Sequence, residues 1–207
     1  NWMTAGRGIV HSERTPDLQI KDGQTLHGLQ TWVALPGDEE DCAPAFEHHP
    51  AEALPEFSAG NVHVKLLAGT AWNRTSPVTF PSPILYAVLD AATDAEIVLP
   101  AGLANERAIY VVNGSVTLAG SSLPSSRMAV LEPDMDAPLT LQAGTKLVIC
   151  GGAPLDVPRK MDWNFVSSST EKIERAKADW TAAIASGGSE RFPLIPGDET
   201  EWIPLPS

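Results

Sequence analysis

Cysteine is scarce in this chain: two among 207 residues, Cys42 and Cys150. Two thiols make no disulfide framework, so the sequence points to a reduced, cytoplasmic protein with two inert, unpaired cysteines. Long apolar runs are missing too. No stretch approaches the ~18 residues of a membrane span. The opening NWMTAGRGIV lacks the basic and apolar blocks of a signal peptide. Basic residues are few: 14 Lys and Arg against 26 Asp and Glu give a net charge of −12. A polyanion is repelled by that charge and finds no basic run to bind locally. Direct contact with nucleic acid or an anionic membrane is therefore disfavoured. Histidine is limited to five residues, and no His-x-His pair occurs.

Turn formers are abundant: 18 prolines and 16 glycines separate short apolar stretches, the mark of an all-β protein. Strands are expected over Thr25–Leu35, Asn61–Ala68, Ile84–Leu89, Glu96–Leu99, Ala108–Val112, Ser115–Leu118, Arg127–Leu131, Pro138–Leu141 and Lys146–Cys150. Asn113-Gly114 is the strongest hairpin signal, because a type I′ turn needs two residues at positive φ. This even spacing predicts a sandwich or barrel. One segment dissents. From Ser168 to Ser186, Ser168 and Glu171 have capping-box spacing, Ile173, Ala176, Trp180 and Ile184 share a face, and Gly187-Gly188 follows. A C-terminal amphipathic helix is predicted, packed with the Pro-punctuated tail on the β body.

The chemistry-bearing stretch is the first one. His11 and Glu13 stand two apart, which on a strand puts both on one face. An imidazole and a carboxylate inside a barrel make half of a mixed N/O metal site, and a hydrogen-bonded buried histidine is the competing reading.

WMTAGRGIVHSE resembles the signature of the pirin family, in which the His and Glu of this strand are two of the metal ligands. LHGLQTWVALP, FEHHPAEALPEF, VHVKLLAG, ILYAVLD, AIYVVNGSVTLAG, ICGGAPLD and the tail from FVSSSTEKIERAKADW to PGDETEWIPLP are similar to that family as well. The resemblance implies an all-β bicupin of double-stranded β-helix barrels with a C-terminal helix. Residues 1–45 would be the remainder of an N-terminal metal-binding cupin and 46–166 a C-terminal cupin. Residues 167–207 would be the helix and tail. It also implies one mononuclear divalent metal, iron, with His11 and Glu13 as ligands.

The family's other two ligands, an HxH pair, lie on an earlier strand, and this sequence starts at Asn1 downstream of that place. An upstream segment is therefore expected, and the metal depends on it. Histidine is absent from PAGLANERAIY and SSRMAVLEP, where a metal cupin would carry it, so the second barrel is expected to be metal-free.

The remaining candidates read as structural. His48 and His49 are adjacent and point opposite ways on an extended chain. His63 sits on the polar side of an alternating strand. His27 is a structural or, less directly, an outer-sphere residue of the first barrel. Cys150 has no base near it in sequence. Asp38-Glu39-Glu40-Asp41 lacks the spacing and glycine of a calcium loop and reads as a solvated turn.

Two functions follow from the resemblance, and the chain as written allows a third. The leading one is a metal-dependent dioxygenase acting on a small aromatic substrate, a flavonol such as quercetin. The second is a non-catalytic, metal-bearing regulatory module that works through protein partners. A structural double cupin without metal is the third.

Overall fold

Alternation of apolar and polar residues builds most of this chain into strands. The computed structural model describes residues 1–15, 17–23 and 25–206. In order run β1 (Trp2–Thr4), α1 (Asp17–Asp22), β2 (Ala45–Glu47), β3 (Glu56–Ala59), β4 (Val62–Ala68), β5 (Thr70–Ala71) and β6 (Arg74–Thr75). Next come β7 (Ile84–Ala91), β8 (Ala95–Leu99), β9 (Glu106–Asn113), β10 (Ser115–Leu118), β11 (Ser121–Pro124) and β12 (Arg127–Leu131). The series ends with β13 (Ala137–Leu141), β14 (Thr145–Gly152), β15 (Lys160–Asp162), β16 (Phe165–Ser167) and α2 (Thr170–Ser186). The chain divides into two units: Asn1–Trp2 with Glu47–Pro154, and Met3–Phe46 with the chain from Leu155 on.

The first unit is a double-layered β structure. A six-stranded sheet has the order β12-β9-β14-β7-β4-β3, and a four-stranded sheet the order β11-β10-β13-β8. Period-2 patterning decides which side chains are inside. Val62, Val64 and Leu66 of β4, Leu85, Ala87 and Leu89 of β7, and Leu147 and Ile149 of β14 join one core. Ile97, Leu99, Val116, Leu139 and Leu141 of the smaller sheet belong to the same core. The register stacks them in rows, Leu89 opposite Leu147 and Ala87 opposite Ile149. Each fully buried Leu, Ile or Val contributes about 1.5–3 kcal/mol. Eight of the nine expected strands form at or within a few residues of their expected places.

Asn113-Gly114 does something other than turn a hairpin. β9 pairs with β12 and β14, whereas β10 pairs with β11 and β13. The chain therefore steps from one sheet to the other at Gly114, which has φ +77. Any Cβ there would stand 2.8 Å from Thr145 Cα, so only glycine fits. Thr145 pins this corner: its Oγ1 accepts from Ser115 N at 3.2 Å and donates to Ser115 O at 3.0 Å. The two-residue hairpin lies a few residues on, between Leu118 and Ser121, with Ala119 at φ +49 and Gly120 at φ +77. Both values are those of a type I′ turn.

Thr25–Leu35 forms no strand. Its letters have strand propensity, but a strand exists only against a partner, and no described segment pairs with this one. Leu26, Leu29, Trp32 and Val33 are exposed as a result. The same holds for residues 8–15, which carry His11 and Glu13 on irregular chain. Just beyond, the short helix α1 occupies a stretch with no expected element.

In the second unit α2 begins one residue later than its capping signal predicted. Ser169 is the cap, its Oγ accepting from Lys172 N at 3.3 Å. Ser168 is engaged elsewhere, donating through both N and Oγ to the Glu40 carboxylate. Ile173, Ala176 and Ala183 are the buried face, with Trp180 half-buried beside them. Gly187 ends the helix in the left-handed region at φ +73. β15 and β16 form a hairpin before it.

Candidate functional site

The route to His11 is set by glycine. Gly6 has φ +49 and lies so close to the Cys42 carbonyl that a side chain would collide with it. Arg7 N donates to that carbonyl at 3.0 Å and Gly8 N to Ala5 O at 2.9 Å, closing a tight turn. Arg191 Nε holds the Arg7 carbonyl at 3.0 Å. From here Ile9 to Arg14 run along one wall of a cleft of about 470 Å³.

Aromatic rings form the rest of that wall. Trp163, Phe165, Trp180, Phe192 and Trp202 all line the cleft and touch one another in series. Trp180 is the hub, 5.8 Å from Trp163, 5.3 Å from Phe192 and 5.1 Å from Trp202 between ring centres. Tilted and edge-on packing of this kind is favourable for aromatic pairs. Trp180 contributes its ring to the cleft, a role beyond the helix-packing stripe that its spacing predicted. Trp163 reaches it from the β15–β16 turn at φ +51.

Charge sits at the rim. Arg14 donates from Nε and Nη2 to the two oxygens of Asp198 at 2.9 and 2.7 Å, and from Nη2 to Glu201 at 2.6 Å. These carboxylates raise the pKa of Arg14 above its ordinary value. Hydrogen bonding to Arg14 in turn holds the Asp198 carboxyl below the usual range, against a desolvation effect, with help from Ser12. His11 and Glu13 are both exposed at the cleft.

The donor set does not fit a resident metal. His11 and Glu13 supply one nitrogen and one oxygen, and among the described residues no cluster of three or more His, Cys, Asp or Glu could hold an ion. Mononuclear iron sites of the two-His, one-carboxylate kind need at least three protein donors.

The other predicted residues lie apart. His48 Nδ1 is 2.8 Å from Asn1 Oδ1, while His49 Nε2 is 3.1 Å from Glu47 Oε2. His63 is exposed between buried Val62 and Val64 and stands 3.6 Å from Glu56. His27 is exposed. Cys150 is half-buried, and burial pushes its thiol pKa up, away from reactivity.

Two polar centres escaped the sequence reading. Glu40, placed in a solvated acidic loop by its neighbours, is only 9% exposed. It pairs with Arg159 at 2.8 Å and accepts from Ser167 Oγ, Ser168 Oγ and Ser168 N. Burial alone would raise its pKa, but the serine donors and Arg159 bring it net below the ordinary value. Nothing in DEED marks the third acid as different.

Arg107 is 2% exposed inside the first unit, where its guanidinium donates to the carbonyls of Leu99, Pro100, Glu132 and Met135. It clips two loops together at one end of the barrel. Here a signal existed: Arg107, Ile109 and Val111 alternate on one face of β9, so the pattern itself points the arginine inward.

Two packed antiparallel sheets closed around one core define the first unit as a cupin. Comparison with known proteins narrows the class. A sequence model of the pirin C-terminal cupin domain matches residues 86–184, and one described as pirin matches residues 1–33. A pirin-like protein of Caulobacter vibrioides is 40% identical over 100% of this chain and 68% of its own length. A putative quercetin 2,3-dioxygenase of Pseudomonas aeruginosa is 33% identical over 100% of this chain and 63% of its own length. Human pirin is 30% identical over 92% of this chain and 65% of its own. A crystal structure of quercetin 2,3-dioxygenase from Acinetobacter baumannii superposes with a TM-score of 0.76 at 25% identity, covering 85% of this chain and 57% of that one. The chain belongs to the pirin family. It spans 63–68% of the length of these three curated relatives.

Proposed function

We propose that the aromatic cleft binds a flavonol such as quercetin, and that the chain is part of a metal-dependent oxygenase. The carrying observation is His11 and Glu13 opening onto a cleft of about 470 Å³ walled by three tryptophans. Indole faces stack a planar aromatic molecule at little entropic cost. Glu13, exposed beside them, can accept the proton of the flavonol hydroxyl, as a general base must reach the proton it takes. His11 offers a hydrogen bond to the neighbouring ketone. The names of the bacterial relatives support this substrate class. A single divalent ion, iron by family resemblance, requires donors in addition to His11 and Glu13.

The test is a quercetin titration followed by the emission of the cleft tryptophans, run alongside O₂ consumption. Saturable quenching that weakens in Trp180→Ala is the expected result for this chain, with oxygen uptake that needs Glu13 once the additional metal donors are supplied. No quenching and no uptake across several flavonols would sink the proposal.

A regulatory module acting through protein contacts is the second reading. It is favoured by the exposed apolar side chains Leu26, Leu29, Trp32 and Val33, which a partner surface could cover.

A further inference from the structure

Asp198 is gripped by Arg14, the residue that follows Glu13. Arg14 hydrogen-bonds its carboxylate through two nitrogens at 2.9 and 2.7 Å. The aspartate is placed for this by a turn. Asp198 N donates to Ile195 O at 2.9 Å across Pro196-Gly197, and Gly197 has φ +85, as a type II turn requires. Glu201 adds a second carboxylate to Arg14 at 2.6 Å. The far end of the segment is tied as well: Trp180 Nε1 donates to Ile203 O at 2.9 Å, and Trp202 packs on Trp180 at 5.1 Å. Residues 198–203 thus span the cleft, fastened at one side to the HSER stretch and at the other to α2.

We propose that residues 198–203 form a latch across the aromatic cleft, with Asp198 and Arg14 as positioning residues that hold His11 and Glu13 at its wall. Among the described residues, 8–15 pair with no strand, and side-chain fastening from residues 198–203 is a contact that constrains this stretch. The catch is also releasable. Arg14 and Glu201 have side-chain exposures of 57% and 62%, while Asp198 is at 15%, so salt screens the catch in part. Opening it would admit a ring between the tryptophans, and closing it would return the histidine and carboxylate to the bound molecule. This proposal rests on the cleft being the ligand site.

The experiment compares wild type, Asp198→Asn, Asp198→Glu and the charge swap Arg14→Asp with Asp198→Arg, by two readouts. One is amide hydrogen exchange over residues 9–14 without ligand, with residues 62–68 as the internal control. The other is quercetin affinity from tryptophan quenching. Asp198→Asn is expected to speed exchange in residues 9–14 alone and to weaken affinity about two- to fivefold, the scale of an exposed ion pair. Asp198→Glu should restore both, and the swap only in part, because a carboxylate at position 14 would face Glu201. Unchanged exchange in Asp198→Asn overturns the latch. So does faster exchange that neither rescue reverses, since that marks lost packing instead of a lost catch. If wild type binds no quercetin, the ligand reading of the cleft has failed, and exchange alone still decides whether the latch exists.

Discussion

At the scale of single residues, burial decides what a charge is for. Glu40 and Arg159 have side chains 7% and 6% exposed, so each is solvated by the other and by serine and carbonyl partners in place of water. Glu40→Gln leaves Arg159 facing a neutral group and should cost about 3 kcal/mol, near the lower end for breaking a buried pair. Denaturant midpoints measured by circular dichroism check this. The pH dependence follows from the direction of the shift. Because the folded Glu40 carboxyl titrates below its unfolded value, near ~4.3, its contribution is complete above that pH and is lost as pH falls through the folded value. Wild-type stability should therefore drop more steeply below about pH 4 than that of Glu40→Gln. Equal slopes would show that Glu40 is not the group responsible.

Elements are where sequence pattern and structure part company most instructively. Strands β4, β7, β9 and β14 could be read directly, because both sheets bury one face and alternation is then compulsory. Local propensity marks Asn113-Gly114 as a hairpin, yet propensity reports only that the chain can adopt positive φ. Which strand comes next is set by Thr145 and by the pairing of β10 with β13. Gly114→Ala should thus cost at least ~2 kcal/mol, from positive φ together with collision against Thr145. Gly144→Ala is the matched control, since it has φ +79 but open space around it. It should lose only ~1 kcal/mol by thermal or chemical unfolding. Similar losses at both positions would refute the corner's role. The α2 cap moved from Ser168 to Ser169 for a comparable reason: Glu40, far away in sequence, already occupied the first serine.

For the whole molecule, the two units divide the labour. Core, register and the Arg107 clip belong to the first, whereas the aromatic cleft, the latch and the His11–Glu13 pair belong to the second. The donor count bears on metal content. This chain, purified and incubated with ferrous iron, should retain well under one ion per chain, and His11→Ala should change that little, because two exposed donors bind weakly. Elemental analysis after desalting gives the answer. One ion per chain, lost in His11→Ala, would require donors that the described arrangement does not bring together.

The sequence by itself determined the class of fold, since period-2 burial, dense turn formers and one capped amphipathic segment leave few alternatives to a β sandwich or barrel with a C-terminal helix. It also singled out His11 and Glu13, through spacing and family resemblance. Tertiary structure alone decided that Thr25–Leu35 meets no partner strand among the described residues, that Glu40 is buried, and that Asp198, 184 residues beyond Arg14, closes on it. Pairing, burial and ion-pair partners depend on what lies across space. Letters a few positions apart carry only the local part of that information.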